Sequence, residues 1–389
     1  MGSSRGRSLV DLLATKEMVV VCGSGGTGKT TVAAALGASA AERLGGRVLV
    51  LTVDPARRLA TALGLGDVGN TPVRVPPAAL APDCRGELWV AMLDTKAGWD
   101  DLIRRHAPDP RLRDRVLSNP LYANITGRFV NSHDYIAMEQ LHDLHASGEF
   151  DLLVIDTPPS RNALDLLDAP GRMREFFGSR LLQWLTVPGR SRLLSVASKP
   201  FYRLADRVLG SRFLEDIAEF FVLFQAMEAG FVARATSVER LLTDDRTTFV
   251  VVSTLEAGPA REAGFLAGEL RRRSMPLGAL VLNRTLPADV RRPAVAKAAT
   301  ALGAITADAG ALARVAAASH RSADAVGRVL QAVAEHHREI AVVAAREAER
   351  RSELEQLVPT CVALPTMPTD VHDLAVLREL GAHLLGASA

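Results

Sequence analysis

Residues 23–31 read Gly-Ser-Gly-Gly-Thr-Gly-Lys-Thr-Thr, and this loop is the most specific motif in the chain. From Gly23 to Thr30 it matches the phosphate-binding pattern G-x-x-x-x-G-K-[ST]. The apolar run 18–22 precedes it and the Ala-rich run 31–43 follows it, so the loop joins a buried strand to a helix. In such a turn, backbone N–H groups and the helix N-terminus bind phosphate. The sequence therefore predicts a nucleoside triphosphate site.

The loop residues have distinct expected roles. Lys29 would reach the β- and γ-phosphates as a catalytic group, and the Thr30 hydroxyl would bind Mg²⁺. The chain uses arginine for most of its 46 basic residues, yet it keeps lysine here, where a compact ammonium fits and a planar guanidinium would not. The residues expected to contact the nucleotide are Gly25, Gly26, Thr27, Gly28, Lys29, Thr30 and Thr31.

The composition excludes several classes of protein. The 46 basic and 44 acidic residues nearly balance, so no polyelectrolyte surface for nucleic acid is expected. The three cysteines are far apart and form neither a disulfide framework nor a CxxC pair. No apolar run approaches the roughly 20 residues of a membrane-spanning helix. We expect a cytoplasmic protein without an integral membrane segment.

Seven apolar, β-branched runs predict strands, and long helical stretches separate them. This pattern is typical of an α/β fold with a mostly parallel sheet that helices cover on both faces. We predict a single domain over residues 1–389, with a helical subdomain inserted at 96–148 and 161–245 and a helical insertion at 286–358 before the last strand. The predicted strands are 18–22, 47–53, 87–93, 151–156, 248–254, 277–282 and 360–364.

The stretch 161–245 is more apolar than a surface helix requires. One interpretation is a helical subdomain that packs on itself and on a partner subunit. The other is a groove for an apolar helix of a hydrophobic client protein. A core stripe and a groove stripe share the same helical period, so the pattern leaves both open.

Two carboxylates follow neighbouring predicted strands. Asp54 comes after the strand 47–53 and Asp156 ends the strand 151–156. We expect Asp156 to hold Mg²⁺ through water, and Asp54 to orient or deprotonate the attacking water. The alternative is that each aspartate caps the helix that follows it.

A further pair of residues is expected at the base. Asn283 follows the strand 277–282, and its amide can pair with the adenine edge through both its donor and its acceptor. A turn cap is the alternative. Pro365 begins the segment Pro-Thr-Met-Pro-Thr-Asp-Val after the last strand, which could form a rigid wall against the base.

These motifs together resemble the ArsA-type ATPases, which include the arsenical pump-driving ATPases and their relatives that target tail-anchored membrane proteins in eukaryotes. The shared segments occur in the family's order and spacing: 23–31, 51–56, 150–159, 281–283 and 364–368. The resemblance is closest to the bacterial branch. It implies a P-loop NTPase fold with a deviant Walker A loop, ATP and Mg²⁺ as cofactors, and a dimer. It also implies that Asp54 lies in switch I, Asp156 in switch II and Asn283 in the adenine site.

The chain departs from the family at several points. Ser24 stands where the family carries a signature lysine that reaches the partner subunit's phosphates. The family's zinc-binding CxxC has no counterpart here, so we expect no bound zinc. The metalloid-binding cysteines have no counterpart either, so we do not expect arsenite transport. Arg57 and Arg58 stand where relatives often have His and Asn. They either compensate for the lost lysine or form an exposed helix start or a salt bridge.

Two functions remain open at this point. The first is an enzyme, an ATP hydrolase that drives conformational change in a dimer, for membrane-protein targeting or proteostasis. The second is a nucleotide-binding regulatory subunit in a heterodimer with a lysine-bearing ATPase paralogue. Septum-positioning and partition ATPases share the loop, but they are disfavoured because the C-terminal residues 384–389 form no basic amphipathic helix.

Overall fold

The described part of the chain comprises residues 8–53, 65, 68–119, 122, 132–177, 225–367 and 374–386 of a computed structural model. Three candidate site residues, Asp54, Arg57 and Arg58, lie outside these ranges. So do residues 178–224 of the apolar helical stretch and residues 368–371 of the segment predicted to wall the base.

An eight-stranded sheet lies at the centre of the fold, in the order β3-β4-β2-β5-β1-β6-β7-β8. All neighbouring strands are parallel except β3, which runs antiparallel to β4 at the edge. Seven strands coincide with the seven predicted runs, and β3 was missed because two residues are too short to show a period. The strands are β1 Met18–Gly23, β2 Arg47–Thr52, β3 Val73–Arg74, β4 Glu87–Met92, β5 Leu152–Asp156, β6 Thr247–Ser253, β7 Leu277–Thr285 and β8 Thr360–Pro365.

Twelve α-helices occur within the described ranges, several of them started by side-chain caps. The carboxylates of Asp94 and Asp109 and the hydroxyl of Ser322 each accept a first-turn N–H of the helix that follows. The helices are α1 Leu9–Leu13, α2 Lys29–Arg43, α3 Thr95–His106, α4 Pro110–Ser118, α5 Ser132–Ala146, α6 Ser160–Phe177, α7 Glu228–Thr243, α8 Ala257–Arg272, α9 Pro293–Ala307, α10 Ala309–Ser319, α11 Ala323–Glu355 and α12 Leu374–Leu384.

The sheet separates two hydrophobic cores. Alternate β1 residues contribute to opposite cores: Met18, Val20 and Cys22 to one, Val19 and Val21 to the other. The first core continues into α3, α5, α6, α7 and α8, and the second into α2 and α12. Because successive strand side chains point to opposite faces, a strand with helices on both sides must be apolar throughout. This explains the continuous apolar runs and confirms the predicted α/β class.

Helices occupy each of the three stretches that lack a strand pattern. The stretch 96–148 contains α3, α4 and α5, and the stretch 286–358 contains α9, α10 and the 33-residue α11. In the stretch 161–245, the described residues form α6 and α7, which pack against each other. The division of the chain into one domain with helical insertions stays a prediction.

Within the described ranges, no single helix has the length and apolar character to cross a membrane, and α9 and α10, which meet at 103°, meet that criterion only as a broken pair.

Candidate nucleotide-binding site

The loop between β1 and α2 has a backbone that only glycine adopts readily. Gly26 and Gly28 have φ angles of 77° and 90°, in the left-handed region. Gly23 has φ 152°, and a Cβ there would lie 2.0 Å from the Val252 carbonyl oxygen of β6. Gly23, Gly26 and Gly28 are therefore required by the turn and by the close approach of the neighbouring strand. Such a turn exposes backbone N–H groups to a phosphate.

Lys29 begins α2 and lies buried inside this loop. Its Nζ donates a hydrogen bond to the Ser24 carbonyl oxygen at 2.9 Å, and the Thr27 hydroxyl donates to the same oxygen at 2.9 Å. The Lys29 ammonium therefore lies across the same turn that would bind the phosphates. Burial raises the pKa of the neighbouring Cys22 thiol to about 12, although the charge of Lys29 acts to lower it.

Ser24, which stands where the family's lysine is expected, is only 6% exposed. Its hydroxyl has no hydrogen-bond partner within the described residues. A short, buried hydroxyl does not project from the surface, so this position offers no group that could reach a second subunit.

Asp156 ends β5, directly beside the strand that leads into the loop. It is fully buried and pairs in register with Val21 of β1 on one side and Thr52 of β2 on the other. The Thr52 hydroxyl donates a hydrogen bond to Asp156 Oδ2 at 2.9 Å. The following residue, Val53, donates its N–H to the Asp156 carbonyl at 3.0 Å. The Asp156 carboxylate is therefore held from β2, at the strand end that leads to Asp54.

Asn283 lies at the end of β7, on the other side of the loop. Its Nδ2 donates to the Thr27 carbonyl oxygen at 2.8 Å, and its Oδ1 accepts from the Arg284 N–H at 2.9 Å. Pro365 ends β8, where it pairs in register with Thr285 of β7. The structure brings Asn283 into contact with the phosphate loop, and its role in reading the base stays a prediction.

The predicted site residues within the described ranges meet at the carboxyl ends of the parallel strands. In sheet order, Asp156 lies on β5, the glycine loop follows β1, and Asn283 and Pro365 lie on β7 and β8. Open α/β sheets bind ligands at this edge. The catalytic, nucleotide-binding and metal-binding roles of these residues stay predictions.

Thr52 was not among the predicted site residues. The sequence does distinguish this residue, because Thr52 is polar in the otherwise apolar run Val-Leu-Val-Leu-Thr of β2 and lies two residues before Asp54. In a buried strand such a residue requires a hydrogen-bond partner. The partner, Asp156, is 104 positions away, and the sequence alone does not reveal it.

A second polar cluster, also not predicted, lies between α3 and α5. Ligand-type atoms of His106, Glu139 and Asp143 lie within 4.8 Å of one another. Arg234 bonds Glu139 at 2.8 Å, and Arg105 bonds Asp143. Burial, followed by the charge of Arg234, lowers the pKa of His106. Because guanidinium groups already neutralise both carboxylates, this cluster is an ion-pair network between helices.

The glycine loop between a central buried strand and a helix, with an aspartate ending the adjacent strand, defines the class of P-loop NTPases. The chain belongs to the anion-transporting ATPase family, the ArsA-type ATPases, whose sequence model matches residues 16–302. This confirms the resemblance seen in the motifs.

Relatives agree with this assignment over about 70% of the chain. An uncharacterized protein of Streptomyces coelicolor is 31% identical over 278 residues, which are 70% of this chain and 63% of the relative. The arsenical pump-driving ATPase of Acidiphilium multivorum is 26% identical over 279 residues, 71% of this chain and 41% of the relative. The ATPase ASNA1 homolog of Entamoeba dispar is 24% identical over 275 residues, 70% and 77% of the two chains. The match thus spans less than two thirds of the first two relatives.

Proposed function

We propose that this chain is a Mg²⁺-dependent ATP hydrolase that acts in a dimer. The observation that carries the proposal is the buried Lys29 ammonium inside a glycine-shaped loop, beside an aspartate that ends the neighbouring strand. A buried cation and converging backbone N–H groups stabilise phosphate charge far better than the same groups in water. The family to which the chain belongs supports nucleotide binding.

The proposed mechanism assigns one task to each group. The loop N–H groups and Lys29 bind the β- and γ-phosphates and stabilise the charge of the transferring phosphoryl group. Asp54 orients the attacking water and accepts its proton. Thr30 would supply a hydroxyl oxygen, a hard ligand of the kind that Mg²⁺ prefers, and the Asp156 carboxylate would hold that ion through water. When bound there, the ion would neutralise phosphate charge.

We propose further that hydrolysis drives a conformational change in the dimer, used for membrane-protein targeting or proteostasis in the cytoplasm. The name of the Acidiphilium relative points to arsenical transport, but two thiols here do not favour metalloid binding. Burial raises the pKa of Cys22 to about 12 and, with the charge of Glu355, that of Cys361 to about 11. Thiolates rather than thiols are the metal and metalloid ligands.

A regulatory subunit is the second candidate, and Ser24 favours it. Catalysis of phosphoryl transfer gains several orders of magnitude from a cation supplied by a partner. The buried Ser24 hydroxyl supplies none. In this alternative the chain binds ATP, hydrolyses it slowly, and contributes to a heterodimer whose other subunit carries the lysine.

The test is phosphate release by the purified chain with ATP and Mg²⁺, with EDTA, and with the variant Lys29→Ala. We expect hydrolysis that needs Mg²⁺ and is abolished in Lys29→Ala. Lys297→Ala, at an exposed position of α9, is the matched control and should retain the full rate. Wild-type turnover in Lys29→Ala would refute the loop assignment. Nucleotide binding without turnover would favour the regulatory subunit.

A further inference from the structure

The carboxyl end of β7 is irregular at the point where it meets the phosphate loop. The pairing of β7 with β8 shifts register between Leu282 and Thr285. Within this interval Arg284 has φ 55°, a left-handed conformation that side chains other than glycine rarely adopt. The two observations together describe a β-bulge. Bulges next to functional sites redirect a side chain, and residues in such strained conformations are maintained by their surroundings.

Asn283 lies within this bulge, and its side chain reaches the loop. Asn283 Nδ2 lies 2.8 Å from the Thr27 carbonyl oxygen, and Asn283 Oδ1 accepts the N–H of the bulge residue Arg284 at 2.9 Å. Asn283 is only 8% exposed. Both ends of the amide are thus bonded to backbone, one in the loop and one in the bulge, inside a site where an unpaired polar group is costly.

Gly28 provides the space for this contact. A Cβ at Gly28 would lie 2.4 Å from Asn283 Nδ2, closer than two such atoms can approach. Gly28 also precedes α2 and makes no side-chain cap for it. The junction between the loop and α2 is therefore supported from outside, by the amide of Asn283. The hydrogen bond from Asn283 to the Thr27 carbonyl joins residues 256 positions apart in the chain.

We propose that Asn283 is a positioning residue that holds the phosphate loop in its binding shape through the Thr27 carbonyl. The inference rests on the proposed binding of a nucleoside triphosphate at this loop. An amide has two donor hydrogens and two acceptor lone pairs, so the contacts to Thr27 and Arg284 leave one of each for a base. Asn283 therefore connects the phosphate-binding loop to the end of β7, where the base is expected.

The test separates phosphate binding from base reading by using a ligand that has no base. Inorganic tripolyphosphate with Mg²⁺, together with ATP and GTP, is titrated calorimetrically against wild type and Asn283→Ala. We expect Asn283→Ala to weaken tripolyphosphate binding by roughly five- to thirtyfold, the effect of losing one buried hydrogen bond. Unchanged tripolyphosphate affinity with an altered ATP/GTP ratio would overturn the proposal and leave Asn283 as a base reader only.

Two further variants separate positioning from a general loss of structure. Asn283→Asp keeps the shape but places an oxygen against the Thr27 carbonyl, so it should weaken tripolyphosphate binding at least as much as Asn283→Ala. Lys29→Ala should abolish tripolyphosphate binding and so confirm that the probe occupies the loop. If Asn283→Asp binds tripolyphosphate like wild type, Asn283 does not position the phosphate loop.

The bulge itself can be tested without touching Asn283. A β-branched residue is strained at a left-handed φ, so Arg284→Val should weaken tripolyphosphate binding severalfold, whereas Arg284→Gly should not. Ser274→Val, at φ 58° in the turn before β7, is the matched control and should lower the thermal midpoint without changing affinity. Equal affinities in Arg284→Val and Ser274→Val would refute the coupling. A folded wild type that binds neither ATP nor tripolyphosphate would instead refute the proposed function.

Discussion

The hydrogen bond between Thr52 and Asp156 allows a sharp test of how the site is organised. Thr52→Val keeps the size and branching of the side chain in the buried strand β2 and removes only the hydroxyl that donates to Asp156 Oδ2 at 2.9 Å. A hydrogen bond to a charged group contributes about 1.5–3 kcal/mol, and about 1.4 kcal/mol corresponds to a tenfold change in rate. We therefore expect kcat/KM for MgATP to fall roughly ten- to hundredfold.

The assay is steady-state phosphate release at varied Mg²⁺, since the carboxylate that Thr52 orients is the predicted metal-binding group. The Mg²⁺ requirement should shift to higher concentration in Thr52→Val, and Thr52→Ser should restore most of the rate. The matched control is Thr247→Val, at the first residue of β6. It deletes a buried threonine hydroxyl that donates to the Leu241 carbonyl at 2.6 Å, away from the carboxyl edge of the sheet.

Two results would contradict the expected role of Thr52. One is a Thr52→Val enzyme with wild-type rate and Mg²⁺ dependence. The other is an equal loss of activity in Thr247→Val, which would mean that the effect comes from general destabilisation. Thermal midpoints of both variants, measured alongside, show whether their stabilities are comparable.

Three further predictions follow from the site and its surroundings. Asp54→Asn should leave ATP binding nearly intact and lower turnover by about 10²–10⁴-fold, the range of a positioned base. Asp156→Asn should instead impair Mg²⁺-dependent binding of ATP. An equal loss of binding in both variants, measured by calorimetry, would contradict this division of roles. Burial, followed by the charge of Asp165, raises the pKa of Asp134 from 3.8 to about 6. The folded chain should therefore lose about 1–2 kcal/mol of stability as the pH rises through this interval, after allowance for solvent screening, and thermal melts of Asp134→Asn should lack that loss. The isolated chain should hydrolyse ATP slowly, and either Ser24→Lys or mixing with a lysine-bearing paralogue should raise that rate. A fast wild-type homodimer in a phosphate-release assay would refute this expectation.

Local patterns predicted much of the architecture because they concern residues that are neighbours in the chain. Seven apolar runs identified the seven parallel strands, since a strand covered on both faces must be apolar throughout. The edge strand β3 escaped detection, because a pairing of two residues leaves no pattern of its own. The register shift in β7 also escaped detection, because its left-handed residue is Arg284 rather than a glycine, which would have indicated an irregular strand.

The candidate site divides in the same way. The glycine loop could be predicted from the chain of residues, because the turn from β1 into α2 needs left-handed residues at fixed positions within a short segment. It also identified Asp156 and Asn283 as polar residues at strand ends. The groups that these side chains contact follow from the packing of the whole fold and could not be predicted from local patterns. Thr52 meets Asp156 across 104 positions and Asn283 meets Thr27 across 256, because the order of parallel strands, set by packing of the whole sheet, brings distant strand ends to one edge.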